Sequence, residues 1–106
     1  MARYFSTTVP GVGQFVTSTP MRTFSHAVVI HKADSWVLDG FRGTEALAVA
    51  GVRSVKVRWG LRKEREWPVY ILPAVEIEKA EYQAFVAAVI AAGSVNANVL
   101  SVHAAH

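Results

Sequence analysis

Residues 52–72 read VRSVKVRWGLRKEREWPVYIL, and the way this stretch folds decides the architecture. In its first eight residues Val55, Val57 and Trp59 share one parity, while Ser54, Lys56 and Arg58 share the other. A strand points successive side chains to opposite faces, so the alternation predicts a strand over 52–59 with one buried face and one wet, basic face. Residues 60–66 read as a polar loop. Residues 67–72 read as the return strand, with Val69 and Ile71 on one side and Tyr70 and Leu72 on the other. Pro68 lacks an N–H, which puts that end of the strand at a sheet edge. The expected unit is a basic β-hairpin.

Charge singles out the same stretch. The chain has 11 basic and 8 acidic residues, a net +3, which is modest by itself. Arg53, Lys56, Arg58, Arg62, Lys63 and Arg65, however, all fall within thirteen consecutive residues. Trp59 and Trp67 flank the loop. Cations that displace counterions from phosphates, together with flat rings that stack on bases, are what nucleic-acid binding requires. Lys56, Arg58, Trp59, Arg62, Lys63 and Arg65 are therefore the expected partner-binding residues. Against this, loop charges also serve simply to keep a hairpin solvated and to discourage edge pairing, and Glu64 and Glu66 offset part of the charge.

Working outward, residues 3–19 read as a second hairpin. Tyr4, Phe5, Thr7, Thr8 and Val9 suit one strand; Phe15, Val16 and Thr17 suit another. Between them, Pro10 and Gly11 fit the two central positions of a type II turn, and Gly13 fits a bulge. Residues 22–31 alternate, then turn apolar on both faces around 27–30, the mark of a central strand. Residues 32–35 read as a turn into a short strand, 36–38, ended by Asp39-Gly40. A short helix follows over 45–50, with Thr44 as N-cap and Gly51 at the stop. Residues 76–92 form the longer helix, with Glu76, Glu78 and Glu81 near its positive end and Gly93 beyond it. Ile77, Ala80, Ala84, Phe85, Ala88, Val89 and Ala92 lie at helical spacing. Residues 95–102 complete the sheet, and the tail 103–106 frays. The expected class is α+β: a mainly antiparallel sheet of hairpin-connected strands packed against one long and one short helix.

At 106 residues, 52% of them apolar, the chain suits one domain over 1–106 with a sizeable core. The 18% charged share is low enough to suggest apolar surface left over for a partner or a homo-oligomer. Cysteine is absent, which excludes disulfides, thiolate zinc and a cysteine nucleophile. With no leader-like run, and no apolar run approaching the roughly 20 residues a membrane helix needs, a cytoplasmic, non-membrane protein is expected. No cofactor motif is present: Gly11-x-Gly13 lacks the rest of a dinucleotide loop.

The histidines offer little convergence. His26 and His31 are five apart on one strand and point to opposite faces; His103 and His106 sit in the tail. No metal site is expected from them. Ser25 precedes His26, but neighbouring strand residues diverge. The stretch Arg22-Thr-Phe-Ser-His-Ala-Val-Val-Ile30 resembles strands in small orphan proteins of phages and mobile elements. That resemblance implies an inhibitor of a host nucleoprotein and carries over no functional residue. The leading expectation is a small non-enzymatic module that contacts a macromolecular partner (a protein, a nucleoprotein or a nucleic acid) through the basic hairpin. The alternatives are an inhibitor or assembly subunit acting through apolar surfaces, and a small enzyme in which His26 meets Asp34 or Asp39.

Overall fold

The computed structural model describes residues 2–32, 35–58, 67–91 and 99–101. It shows an α+β fold: β1 (Arg3–Val9), β2 (Gly13–Thr19), β3 (His26–Lys32), β4 (Ser35–Arg42), α1 (Glu45–Arg58), β5 (Val69–Ile77), α2 (Lys79–Ala91) and β6 (Val99–Ser101). The sheet order is β2-β1-β5-β3-β4-β6, and every pairing is antiparallel.

The first hairpin follows from its turn. Val12 N donates to Val9 O at 3.0 Å, and Gly11 adopts φ +75°, the positive φ that a type II turn requires at its third residue. The ladder then runs from Val9↔Gly13 to Arg3↔Thr19 in unbroken register, so Gly13 closes the turn and forms no bulge. β3 is central, between β5 and β4, and Ala27, Val28, Val29 and Ile30 are fully buried. β4 is longer than its sequence suggests. It runs through Asp39-Gly40 by means of a bulge: Leu38 pairs with Val29 and Gly40 with Val28, leaving Asp39 as the extra residue.

Three expectations about the larger architecture are also overturned. First, residues 52–58 are helical and belong to α1, so the basic hairpin's first strand does not exist. The alternation there is real, but Ala48, Val52 and Val55 also recur at helical spacing, and these pack on Val28, Ile30, Val69 and Ile71. Gly51 does not end the helix. It is buried inside it, where a Cβ would lie 3.0 Å from Arg42 Nε and 3.2 Å from Val28 Cγ2; its role is close approach to the sheet. Second, β5 runs through Pro73 to Ile77, which takes Glu76 and Ile77 out of the later helix. Among the described residues the two helices have 14 and 13 residues, nearly equal in place of the expected one short and one long. Third, β5 is not a hairpin partner. It lies between β1 and β3, two strands from distant parts of the chain.

Pro73 is tolerated in β5 because of where it falls. Residues Val69 to Pro73 pair with β3, whereas Ala74 to Ile77 pair with β1. The missing N–H coincides with the change of partner, where a ladder bond is least needed. Thr7 Oγ1 donates to the Pro73 carbonyl at 2.9 Å, and Ala74 N donates to Ser25 O at 2.9 Å.

This handover joins two ladders at an offset and lets the sheet curl. One core cluster, Phe5, Val9, Phe15, Ala27, Val29 and Phe41, draws on strands from β2 to β4, which are separated by three others in the sheet. Phe24, in the segment before β3, bridges it, lying 5.4 Å from Phe5 and 5.6 Å from Phe41 between ring centroids. The opposite face carries α1. The bulged Asp39 projects its carboxylate into a nearly closed site (side chain 3% exposed), where Arg42 Nη2 donates to it at 2.7 Å.

Candidate functional site

α1 starts on a formed cap, with Leu47 N donating to Thr44 Oγ1 at 3.1 Å. It leads from the end of β4 into residues 59–66, and the chain re-enters the described structure at Trp67. Lys56 and Arg58 therefore lie on the last turn of a helix and not on a strand; their side chains are outside the described residues, as are Trp59, Arg62, Lys63 and Arg65. Arg53 is exposed on α1. Trp67 is half-buried against the α1 face of the core, and Lys32 Nζ lies 5.1 Å from its ring centroid, a cation–π distance.

An aromatic row lies at the same end of the sheet, on the face opposite α1 and Trp67. His31 and Trp36 are directly opposed across β3 and β4, and their rings stack with centroids 4.1 Å apart and planes 5° from parallel. Trp36 in turn lies 5.5 Å from the ring of Tyr70 on β5, tilted by 39°. Tyr70 is 42% exposed. The row ends next to the point where the chain returns from the basic segment: His31 N donates to Pro68 O at 2.9 Å, between Trp67 and the first residue of β5. Three strands thus hold three rings side by side, and the outermost is open to solvent. Sequence reasoning passed over this row. The available signal was that His31 and Trp36 flank the expected turn at 32–35, which makes them cross-strand neighbours.

Ser25 lies ahead of β3, not within it, so strand alternation does not separate it from His26. Its Oγ is 2.7 Å from His26 Nδ1 and 3.1 Å from the Gly43 carbonyl oxygen. The Ser25 hydroxyl has one proton and two neighbours, and which of them receives it follows from the His26 tautomer. Asp39 is held by Arg42, and Asp34 lies outside the described residues.

Open grooves lie elsewhere among the described residues. One, of about 620 Å³, is lined by Arg3, Tyr4, Glu76 and Lys79 among others. There the two Arg3 hydrogen bonds to the Glu76 carboxylate, at 3.0 and 2.9 Å, hold that carboxyl below its ordinary pKa, against the opposing effect of desolvation. Another, of about 520 Å³, is lined by Arg22, Phe24, Phe41, Arg42 and Leu47 among others. No helix among the described residues is long and apolar enough to cross a membrane. The chain matches no protein-family model, no curated protein and no solved structure.

Proposed function

We propose that this chain is a small non-enzymatic binding module that takes single-stranded nucleic acid at the end of the sheet carrying the aromatic row. Tyr70 offers an open ring on which a base stacks. Trp36 and His31 back it, so little side-chain freedom is lost on binding. Lys56, Arg58, Arg62, Lys63 and Arg65 supply phosphate contacts, and Trp59 a second ring. The carrying observation is the row His31–Trp36–Tyr70, held by three strands and adjoining the return of the basic segment at Pro68. Base–ring stacking contributes about 1–3 kcal/mol per base, and cation contacts make affinity fall steeply with salt.

Fluorescence anisotropy with a labelled single-stranded oligonucleotide, titrated at several salt concentrations, tests this. Tyr70→Ala is expected to weaken binding by about 5-fold to 150-fold, the equivalent of one lost stack. Replacing Arg62, Lys63 and Arg65 with Ala is expected to reduce the slope of log K against log salt by about 2, at ~0.7 per phosphate contact on a single strand. Undetectable binding at low salt, or binding indifferent to both changes, rules the reading out.

A second reading is an inhibitor or assembly subunit that docks through apolar surface. It is favoured by Ile90 at 70% exposure and Val75 at 59%. Its signature is a protein partner retained through nuclease treatment and high salt.

A further inference from the structure

The two edges of the sheet differ in kind. Among the described residues the β6 edge spans three, Val99–Ser101, and a short edge resists pairing. β2 is seven residues, GQFVTST. It has no charge and no proline, runs without a bulge, and pairs only with β1 among the described residues. Among the described residues its outer row of N–H and C=O groups has none of the usual guards, and such a row is a template for another strand. Beside it, α2 contacts both β1 and β2. Half-buried Tyr82, Phe85, Val86 and Val89 form its inner stripe, and Tyr82 packs on Tyr4 with centroids 4.8 Å apart. Its other positions, including Ala84, Ala87, Ala88 and Ile90, are exposed, and no α2 residue is fully buried.

We infer that β2 pairs antiparallel with β2 of a second copy, joining the two sheets about a two-fold axis that passes midway between the two Val16 residues, Val16 being the middle residue of the strand. A second copy is the occupant that the geometry favours. A two-fold perpendicular to the sheet keeps both α2 helices on the same face. Strands lie about 4.8 Å apart, so a helix seated between β1 and β2 runs about 5 Å from the axis. The two α2 axes then lie about 10 Å apart, the distance at which helices pack. One junction thus satisfies the strand edge and covers a flank of α2 with small side chains that permit close approach. A strip about 24 Å long, from seven residues at ~3.4 Å each, and of sheet-plus-helix height buries on the order of 1,000 Å² in total, the lower end for a specific interface.

The register makes the test specific. Around Val16, Gln14 of one copy lies opposite Ser18 of the other. The chain has no cysteine, so Val16→Cys should give a disulfide-linked dimer under mild oxidation, and a mixture of Gln14→Cys and Ser18→Cys chains should cross-link more than either alone. Sedimentation from low micromolar to submillimolar concentration should show a monomer–dimer equilibrium. Gln14→Lys with Ser18→Lys opposes like charges and should shift it to monomer, and mixing that variant with Gln14→Glu, Ser18→Glu should restore the dimer. A monomer at every concentration with no cross-link overturns the inference. So does a dimer that survives the lysine pair. Oligonucleotide binding by the lysine variant reports separately on the aromatic row.

Discussion

Residues 3–19 and residues 45–58 both contain alternating apolar and polar residues, yet one stretch is a hairpin and the other a helix. In the first, the turn decides: Pro10 and Gly11 set backbone angles that only a tight reversal uses, and the observed φ of +75° at Gly11 is the angle their chemistry demands. Each strand then finds its partner next door. In the second, no turn chemistry breaks the chain after Thr44, and a pattern that alternates over 52–59 also carries Ala48, Val52 and Val55 on one helical face. The side chains fit either period, and the surface they meet chooses between them. Val28, Ile30, Val69 and Ile71 present an apolar face for a helix to cover. The lesson is that alternation without a matching turn is weak evidence for a strand.

The sharpest way to break this contrast is Ser54→Pro. Ser54 is exposed on α1, and proline inside a helix costs about 3 kcal/mol or more through a lost hydrogen bond and a clash. On a solvent-facing strand the cost would be smaller; denaturant unfolding distinguishes the two. Gly51→Val comes next. Its side chain would intrude on Arg42 and Val28, with an expected loss of about 1–3 kcal/mol from overpacking; a glycine that merely stopped a helix would not show this dependence on side-chain volume. Gly11→Ala should lose about 1 kcal/mol. Nothing lies within 4 Å of an added Cβ there, so the penalty is backbone strain alone, and Gly11→Asn should recover part of it.

The smallest effect belongs to Glu76→Gln, which removes the Arg3 pair. Both partners are well exposed, at 36% and 50%, and exposed pairs contribute little. Its sign is still defined. The Glu76 pKa is depressed in the folded state, so the wild-type advantage is present above the unfolded carboxylate pKa and fades as pH falls through the folded value. Melting curves of wild type and variant should therefore converge in acid.

Much of the candidate site escaped the sequence for a related reason. The clustering of Lys56, Arg58, Arg62, Lys63 and Arg65 is visible by inspection, but whether Lys56 and Arg58 ride on a strand or a helix is not. Trp67 was visible as a flanking ring. Tyr70, Trp36 and His31 were not legible as a group, because they come from three strands whose order depends on β5 inserting between β1 and β3. Ser25 and His26 failed by one residue: alternation holds only inside a strand, and β3 begins at His26.

By itself, the sequence determined what local chemistry controls. It set the Pro10–Gly11 reversal, the buried central run 27–30, the Thr44 cap and an α+β class with antiparallel pairing, because each rests on backbone angles or on side chains within a few residues. Tertiary structure decided the rest. It carried α1 through Gly51, since the helix could lie that close to the sheet only where a Cβ was missing. It carried β5 through Pro73, since the ladder changes partners there and asks for no N–H. It also gathered His31, Trp36 and Tyr70 into one row, since contacts between distant segments are fixed by which apolar faces cover one another.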